Sequence, residues 1–499
     1  MKYISTVNNQ YYSSTFSIVK GLADEGGLFV PENLPLFDIE KIIDKNYKDI
    51  AYRILKLFFD QFSDEKLRKM IESAYNTSNF ETENVCEIKD FNPLFFLELY
   101  HGKTYAFKDL ALSIFPDLLK ESAKAEGIKE KIVILTATSG DTGKAVLEAF
   151  SDVEGIEVVV FYPQDGVSEM QKLQMITSSG KNLHVAAING NFDDAQKIVK
   201  NIFADENFLL KMKSKGYIFT SANSINIGRL LPQIVYYFYT YINLLEKKVL
   251  KSGEKINFVV PTGNFGNILA CYYAKKMGLP IEIIICASNS NNILYEFFTK
   301  GKIDLNRKFY KTISPSMDIL IPSNFERFLF DITGKNFEVI KKYKDDIKKG
   351  YYELDKENFE KIEGFFASYS TDSQTFSAIN KVYYNCNYLI DPHTAVAYKV
   401  YEDYIKFCEE YNCKELINTK TVIVSTASPF KFPKICIEAV GKVSYAINRF
   451  SEIELAFLLS QITGIKLPLA IEKLKNSPVL HNMIIEKDNA RQFLEEILD

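Results

Sequence analysis

The sequence predicts an α/β protein built on parallel sheet. From Lys131 onward, short β-branched runs bounded by turn residues alternate with stretches of helical spacing. Strands that alternate with helices pair in parallel and carry helices on both faces. The turns after several of these runs are rich in Gly, Ser, Thr and Asn. Such turns lie beyond the carboxyl ends of the strands, where open parallel sheets bind ligands.

Taken in order, residues 1 to about 90 read as mostly helical. "KIVILTAT" is a buried strand, "GKAVLEAFSD" a helix, "IEVVVFYP" a strand and "SEMQKLQMITSSG" a helix ending at Gly180. "NLHVAAI" is a strand, followed by a helix through "FDDAQKIVKNIFADENFLLKMKSKG". "YIFTSAN" is a short strand, and a long helix begins at Ile227. It contains "IVYYFYTYINLL", which is too short and too polar to cross a bilayer and reads as buried. "INFVVPTG", "GNILACYYAKKMG" and "IEIIICAS" repeat strand, helix, strand. Residues from about 335 to 385, rich in Lys, Tyr and Glu, read as solvated helices added to the core. "KTVIVSTASPFKFP" returns to strand character.

Bulk properties exclude several classes. The 499 residues are 47% hydrophobic and 25% charged, as in ordinary globular proteins. A net charge of -4 argues against nucleic acid or an anionic membrane as main partner, while leaving room for a local cationic pocket. No signal-type N-terminus is visible, and no stretch reaches the about 18 apolar residues needed to span a bilayer. Seven cysteines without a Cys-x-x-Cys, and four dispersed histidines, suggest reduced thiols in a cytoplasmic protein and no zinc site.

Three turns and one lysine carry the chemistry. In "YHGKTYAFKDLALSIF", Lys108 stands where a loop becomes an apolar stretch. "TSGDTG", Thr138 to Gly143, follows a strand and opens a helix, so its backbone N–H groups suit an anion. It is not a P-loop, because Thr138 stands where the first Gly belongs and Ala145 follows Lys144. "PTGNFGN", Pro261 to Asn267, has two glycines three apart at a helix start, a plausible phosphate cradle without the full dinucleotide pattern. In "VIVSTASPFKFP", Thr426 falls at the carboxyl end of a strand. One ligand unites these parts. An electron-poor aldehyde ring bearing a phosphate needs a lysine for its Schiff base, a backbone cradle and a partner for the ring nitrogen.

The sequence resembles the threonine synthase family of fold-type II pyridoxal phosphate enzymes. The resemblance spans almost the whole chain, through "GLADEGGLFVPENLP", "HGKTYAFKDLA", "TATSGDTGKA", "SANSINIGRLLPQIVYY", "PTGNFGN", "SPSMDILIPSNFERFLF", "DPHTAVA" and "STASPFKFP" in that order. Lys103, Ser428 and the Ile-Gly of "SINIGR" depart from the family's common Pro, His and Trp-Ala.

The resemblance implies two doubly wound parallel-sheet domains with the cofactor between them, after a helical N-terminal region at 1–90. The smaller α/β subdomain would cover roughly 130–225. The larger would take the rest of the 91–499 core, with a helical insertion at roughly 335–385. It implies pyridoxal 5'-phosphate bound through Lys108, flanked by Phe107. The cofactor phosphate would rest on Gly263, Asn264, Phe265, Gly266 and Asn267, and Thr426 would face the ring nitrogen. The substrate would be O-phospho-L-homoserine, converted with water to L-threonine and phosphate. Ser139, Gly140, Asp141 and Thr142 would hold its carboxylate, although a carboxyl side chain at Asp141 is odd in an anion site. Ser224, Asn226 and Arg229 would hold its phosphate. A monomer or homodimer is expected. The competing readings are a threonine or serine dehydratase, which shares Lys108 and the glycine loop but needs no second phosphate site, and a non-catalytic cofactor-binding relative.

Overall fold

Two twisted sheets organise the chain. The computed structural model describes residues 1–42, 46–138, 140–164, 166–190, 192–441 and 447–498. The larger sheet has six strands in the order Phe365–Tyr369, Ile281–Ser288, Ile256–Pro261, Thr421–Ser425, Leu94–Glu98 and Glu87–Phe91. All its pairings are parallel except the last, where Glu87–Phe91 runs antiparallel to Leu94–Glu98. The smaller sheet has five parallel strands, Met483–Ile485, Leu183–Ile188, Ile156–Pro163, Lys131–Ala137 and Tyr217–Thr220.

Burial explains the strand sequences. Every residue of Ile256–Pro261 and of Thr421–Ser425 is buried, because helices cover both faces. The N-terminal region holds the helices Ser14–Lys20, Tyr47–Phe58 and Asp64–Ala74 together with the antiparallel strands Tyr3–Ser5 and Phe29–Pro31. They pack into one core with the larger sheet and with the buried helix Ile234–Glu246. The long helix expected from Ile227 is broken. Ile227–Leu230 is one turn, and Pro232 sits in a 3-10 turn before Ile234.

Two expectations need correction. The stretch 335–385 is not a purely helical insertion. Helices Phe337–Lys348 and Asp372–Cys386 flank the edge strand Phe365–Tyr369 of the larger sheet. Its position at the edge leaves only Ala367 fully buried, so the apolar signal is weak. The smaller sheet is also not confined to 130–225, since Met483–Ile485 returns from the C-terminal region to pair with Leu183–Ile188.

The register brings the active turns together. Thr421–Ser425 pairs in step with Leu94–Glu98, so both strands end level. Beyond those ends, the Leu99 N–H donates to the Ser425 carbonyl (3.0 Å), and the Phe107 N–H to the Thr426 carbonyl (2.9 Å). The loop carrying Lys108 is thereby tied to the loop carrying Thr426.

Candidate active site

Lys108 is the first residue of the short helix Lys108–Leu112, and its ammonium is largely shielded from solvent. Its Nζ lies 3.3 Å from Oδ2 of Asp141 and 5.4 Å from the centre of the Phe107 ring. Burial is the largest influence on its proton affinity and lowers it. Asp141 opposes, while the cations Lys431 and Arg229 push the same way as burial, and the result is a lowered pKa.

Asp141 opens the helix Asp141–Phe150 and is buried. Lys431 approaches its Oδ1 at 2.8 Å and has no exposed side-chain surface. The Gln171 amide donates to the same oxygen (3.0 Å), and the Ser316 hydroxyl donates to Oδ2 (3.0 Å). Burial works to raise the Asp141 pKa, but Lys108 and Lys431 outweigh it and hold the group well below the usual carboxylate range. Its oddity in the sequence is thus accounted for: the carboxylate is a partner for two lysines. Behind the site, the Lys431 ammonium also donates to the Thr104 carbonyl (2.9 Å). His393 accepts from the Ser316 N–H at Nε2 (3.2 Å), so its Nδ1 carries the proton toward Asp391 Oδ1 (2.8 Å).

The glycine loop is shaped for close approach. A Cβ on Gly263 would stand 2.5 Å from the Ser316 carbonyl oxygen. Phe265 adopts a left-handed backbone (φ 65°) that turns the chain into helix Gly266–Lys276. Its ring points into the core against Phe298, Phe325 and Phe328, so only its backbone is available to a ligand. Gly266 is different. A Cβ there would meet nothing nearer than Asn324 Nδ2 at 3.5 Å, so the neighbouring protein leaves space for one. Asn267 accepts from Tyr236 (2.7 Å) and Tyr237 (2.5 Å) through Oδ1, while its buried Nδ2 has no partner among the described residues. An unpartnered buried donor at a helix N-terminus suits a phosphate. Asn264 offers its carbonyl to Asn324 (3.1 Å).

The turn after Lys131–Ala137 is partly spent on itself. The Gly140 and Gly143 N–H groups donate to the Thr138 hydroxyl (2.9 and 2.8 Å). The N–H groups of Asp141 and Thr142 fall in the first helical turn, where no intrahelical acceptor exists. Gly140 has φ 134°, and a Cβ there would strike the Gln171 side chain at 2.4 Å. Ser139 lies outside the described residues.

The segment after Tyr217–Thr220 carries a third cation. Arg229 is buried, one Nη donates to the Ala222 carbonyl, and its Nε has no partner among the described residues. It makes no ion pair with any described carboxylate, and burial pushes its pKa down to about 10. Ser224 accepts from the Asn324 amide (3.1 Å), and its Cβ lies 3.7 Å from the Cβ position of Gly266. Asn226 caps the turn Ile227–Leu230. Its Nδ2 donates to the carbonyls of Ile18 (2.9 Å) and Ser221 (3.1 Å), and its Oδ1 accepts from Gly228 (2.9 Å). Both amide hydrogens are therefore engaged inside the protein.

Lys108, Phe107, Asp141, Thr426, Arg229 and the 263–267 loop thus converge. Sequence reasoning singled out none of Lys431, Ser316, Gln171, His393 or Asn324, although all but Gln171 stand in stretches that resemble the family's motifs. A Lys beside two Phe, or a Ser beside Pro, carries no local signal for a site. Their roles come from chain crossings that only the fold reveals.

Residues 76–426 match the family described as pyridoxal-phosphate dependent enzyme, and residues 2–75 match the threonine synthase N terminus. The catalytic part is therefore that of a pyridoxal phosphate enzyme, and pyridoxal 5'-phosphate is its cofactor. The chain is 37% identical over 450 residues to the threonine synthase of Pseudomonas aeruginosa, covering 88% of this chain and 90% of that one. It is 35% identical over 505 residues to human threonine synthase-like 1, covering 98% of this chain and 64% of that protein. It superposes on the pyridoxal phosphate-bound threonine synthase of Brucella melitensis with a TM-score of 0.84 at 32% identity, covering 100% and 98% of the two chains. This chain belongs to the threonine synthase family, a branch of the pyridoxal phosphate enzymes.

The unpartnered Asn267 donor and the space at Gly266 fit the cofactor phosphate, and the lowered pKa of Lys108 fits the imine-forming amine. Gly266→Val is expected to fold, since the added Cβ has room, and to lose cofactor affinity, since the side chain occupies the cradle. Titration of the apo-protein with pyridoxal phosphate checks this. An unchanged affinity removes the loop from the site.

Proposed function

We propose that this protein converts O-phospho-L-homoserine and water into L-threonine and inorganic phosphate, with Lys108 as both cofactor anchor and proton carrier. The observation that carries the substrate assignment is Arg229. A buried guanidinium with no carboxylate partner among the described residues and an unsatisfied Nε calls for an anion. In this reading the cofactor's phosphate takes the 263–267 loop, which leaves Arg229 for a second one. A dehydratase acting on serine or threonine has no use for it.

Bound pyridoxal phosphate supplies an electron-accepting ring that stabilises negative charge developing on the substrate's carbons. The rest is done by this chain. Thr426 is buried, and its hydroxyl would face the ring nitrogen. The N–H groups of Asp141 and Thr142, which lie in the first helical turn, would hold the substrate carboxylate beside Gly140. Arg229, with Ser224 beside the cradle, would grip the substrate phosphate through a guanidinium fork. In this reading Asn226 positions the loop through its three internal hydrogen bonds and does not touch the substrate. The Lys108 amine, whose proton affinity burial lowers, would accept the proton from Cα and move protons at Cβ and Cγ as the Cγ–O bond breaks. Water then adds at Cβ.

No helix among the described residues is long and apolar enough to cross a membrane, and all seven cysteines are free thiols. The free thiols support a cytoplasmic biosynthetic role. The function is tested by supplying O-phosphohomoserine and measuring threonine and phosphate together. Equal amounts of the two are expected. Deamination of free serine or threonine without synthesis of threonine marks a dehydratase, and no turnover of either marks a non-catalytic relative.

A further inference from the structure

Two lysines share one buried carboxylate at this site, and the geometry treats them unequally. Lys431 reaches Asp141 Oδ1 at 2.8 Å, and Lys108 reaches Oδ2 at 3.3 Å. Lys431 stands in the 3-10 turn Pro429–Lys431, beyond the strand that ends at Ser425. Its ammonium has three acceptors: Asp141, the Thr104 carbonyl at 2.9 Å and the Gln174 amide oxygen at 3.3 Å. All three donor positions of an ammonium are thereby filled. Lys108 has Asp141 as its one hydrogen-bond partner among the described residues.

We propose that Lys431 is a positioning residue that takes up the charge of Asp141, so that Lys108 can give up its proton and act as the amine of the site. This rests on the role assigned to Lys108 above. A carboxylate beside a single buried lysine forms an ion pair and keeps that lysine protonated. With a second cation fixed on the other oxygen, the carboxylate is neutralised without Lys108. Asp141 then holds the neutral amine in place through the longer contact and remains a carboxylate. Gln171 and Ser316 donate to its two oxygens and fix their directions.

The other charges around the pair leave this arrangement intact. Arg229 faces Lys108 from the turn Ile227–Leu230 and also disfavours its protonation. Asp109, on the same short helix as Lys108, accepts from the Thr104 N–H (2.8 Å) and hydroxyl (2.6 Å), and the charges of Lys431 and Arg229 act on it. His393 lies on the helix Pro392–Glu410, and its Nε2 accepts from the Ser316 N–H and makes no contact with Asp141. Lys431 is therefore the one cation other than Lys108 in hydrogen-bond contact with Asp141 among the described residues.

The test uses apo-protein and the pH dependence of cofactor capture, because only the neutral amine forms the imine. Pyridoxal phosphate is added at a series of pH values, the rate of band appearance is recorded, and the adduct is fixed with borohydride and located by peptide mass. In the parent, the adduct maps to Lys108 and the rate rises through an apparent pKa. Lys431→Gln keeps hydrogen-bonding capacity but removes the charge. It should move that apparent pKa upward by about one unit or more, since Lys108 becomes the sole cation on Asp141. Lys431→Arg should restore the parent profile in large part. Asp141→Asn should move it downward, since the anion is gone. A merely structural role for Lys431 slows capture without these opposed shifts, and that result overturns the proposal. Should Lys431→Gln fail to fold, Lys431→Met, which keeps the volume of the side chain without its charge, takes its place: an upward shift supports the proposal and an unmoved profile refutes it. An adduct on a lysine other than Lys108 refutes the underlying site assignment instead, so the two failures are distinguishable.

Discussion

Lys108→Ala is expected to fold, to bind pyridoxal phosphate weakly without the visible band of the lysine-bound cofactor, and to lose nearly all turnover. Loss of proton transfer alone accounts for roughly 100-fold to 10,000-fold. Loss of the covalent anchor adds to that. The fold should survive because the change removes a buried amine whose one hydrogen bond among the described residues is the long one to Asp141. Asp141 keeps Lys431, Gln171 and Ser316. An absorbance spectrum, circular dichroism and a turnover assay on the same preparation check all three parts. A variant that keeps both the band and the parent rate has its cofactor on another lysine.

The second large effect is at Arg229. Arg229→Ala should raise KM for O-phosphohomoserine while leaving cofactor occupancy intact. A charge-assisted pair to a phosphate is worth about 1.5–3 kcal/mol, or roughly tenfold to more than a hundredfold in binding. Arg229→Lys should recover only part, because an ammonium cannot offer two parallel donors. Inorganic phosphate should compete with substrate in the parent and far less in the variant. Losing the hydrogen bond to the Ala222 carbonyl carries a stability cost, so retained cofactor absorbance is the control for folding.

The sequence made the parallel α/β core legible because strands buried on both faces are written as continuous β-branched runs. Lys131–Ala137, Ile156–Pro163 and Ile256–Pro261 are of this kind. Other strands left weaker signals. Leu94–Glu98 is wholly buried but short, aromatic and closed by a glutamate, and the sequence reading passed over it. Met483–Ile485 is three residues long with two exposed, so it has no apolar face to read. At the proposed site, Lys108, Thr426 and the glycine loop drew notice because each stands at a turn beside an apolar run, and Arg229 entered only through the resemblance. Asn226 was read as a ligand of the substrate, but its side chain is occupied as a helix cap, a use that Asn serves often and that spacing cannot tell from binding. Lys431 and Ser316 were not singled out because each reaches Asp141 from far along the chain, Lys431 from nearly 300 residues away.

The measurement that bears most directly on the proposed reaction is turnover of O-phosphohomoserine in water enriched in oxygen-18, with mass analysis of both products. If water adds at Cβ after the Cγ–O bond has broken, the label appears in the threonine hydroxyl. The released phosphate then keeps only the oxygens it had in the substrate. Label in the phosphate, with unlabelled homoserine as the other product, would mean that the phosphorus–oxygen bond is cut and would contradict the account.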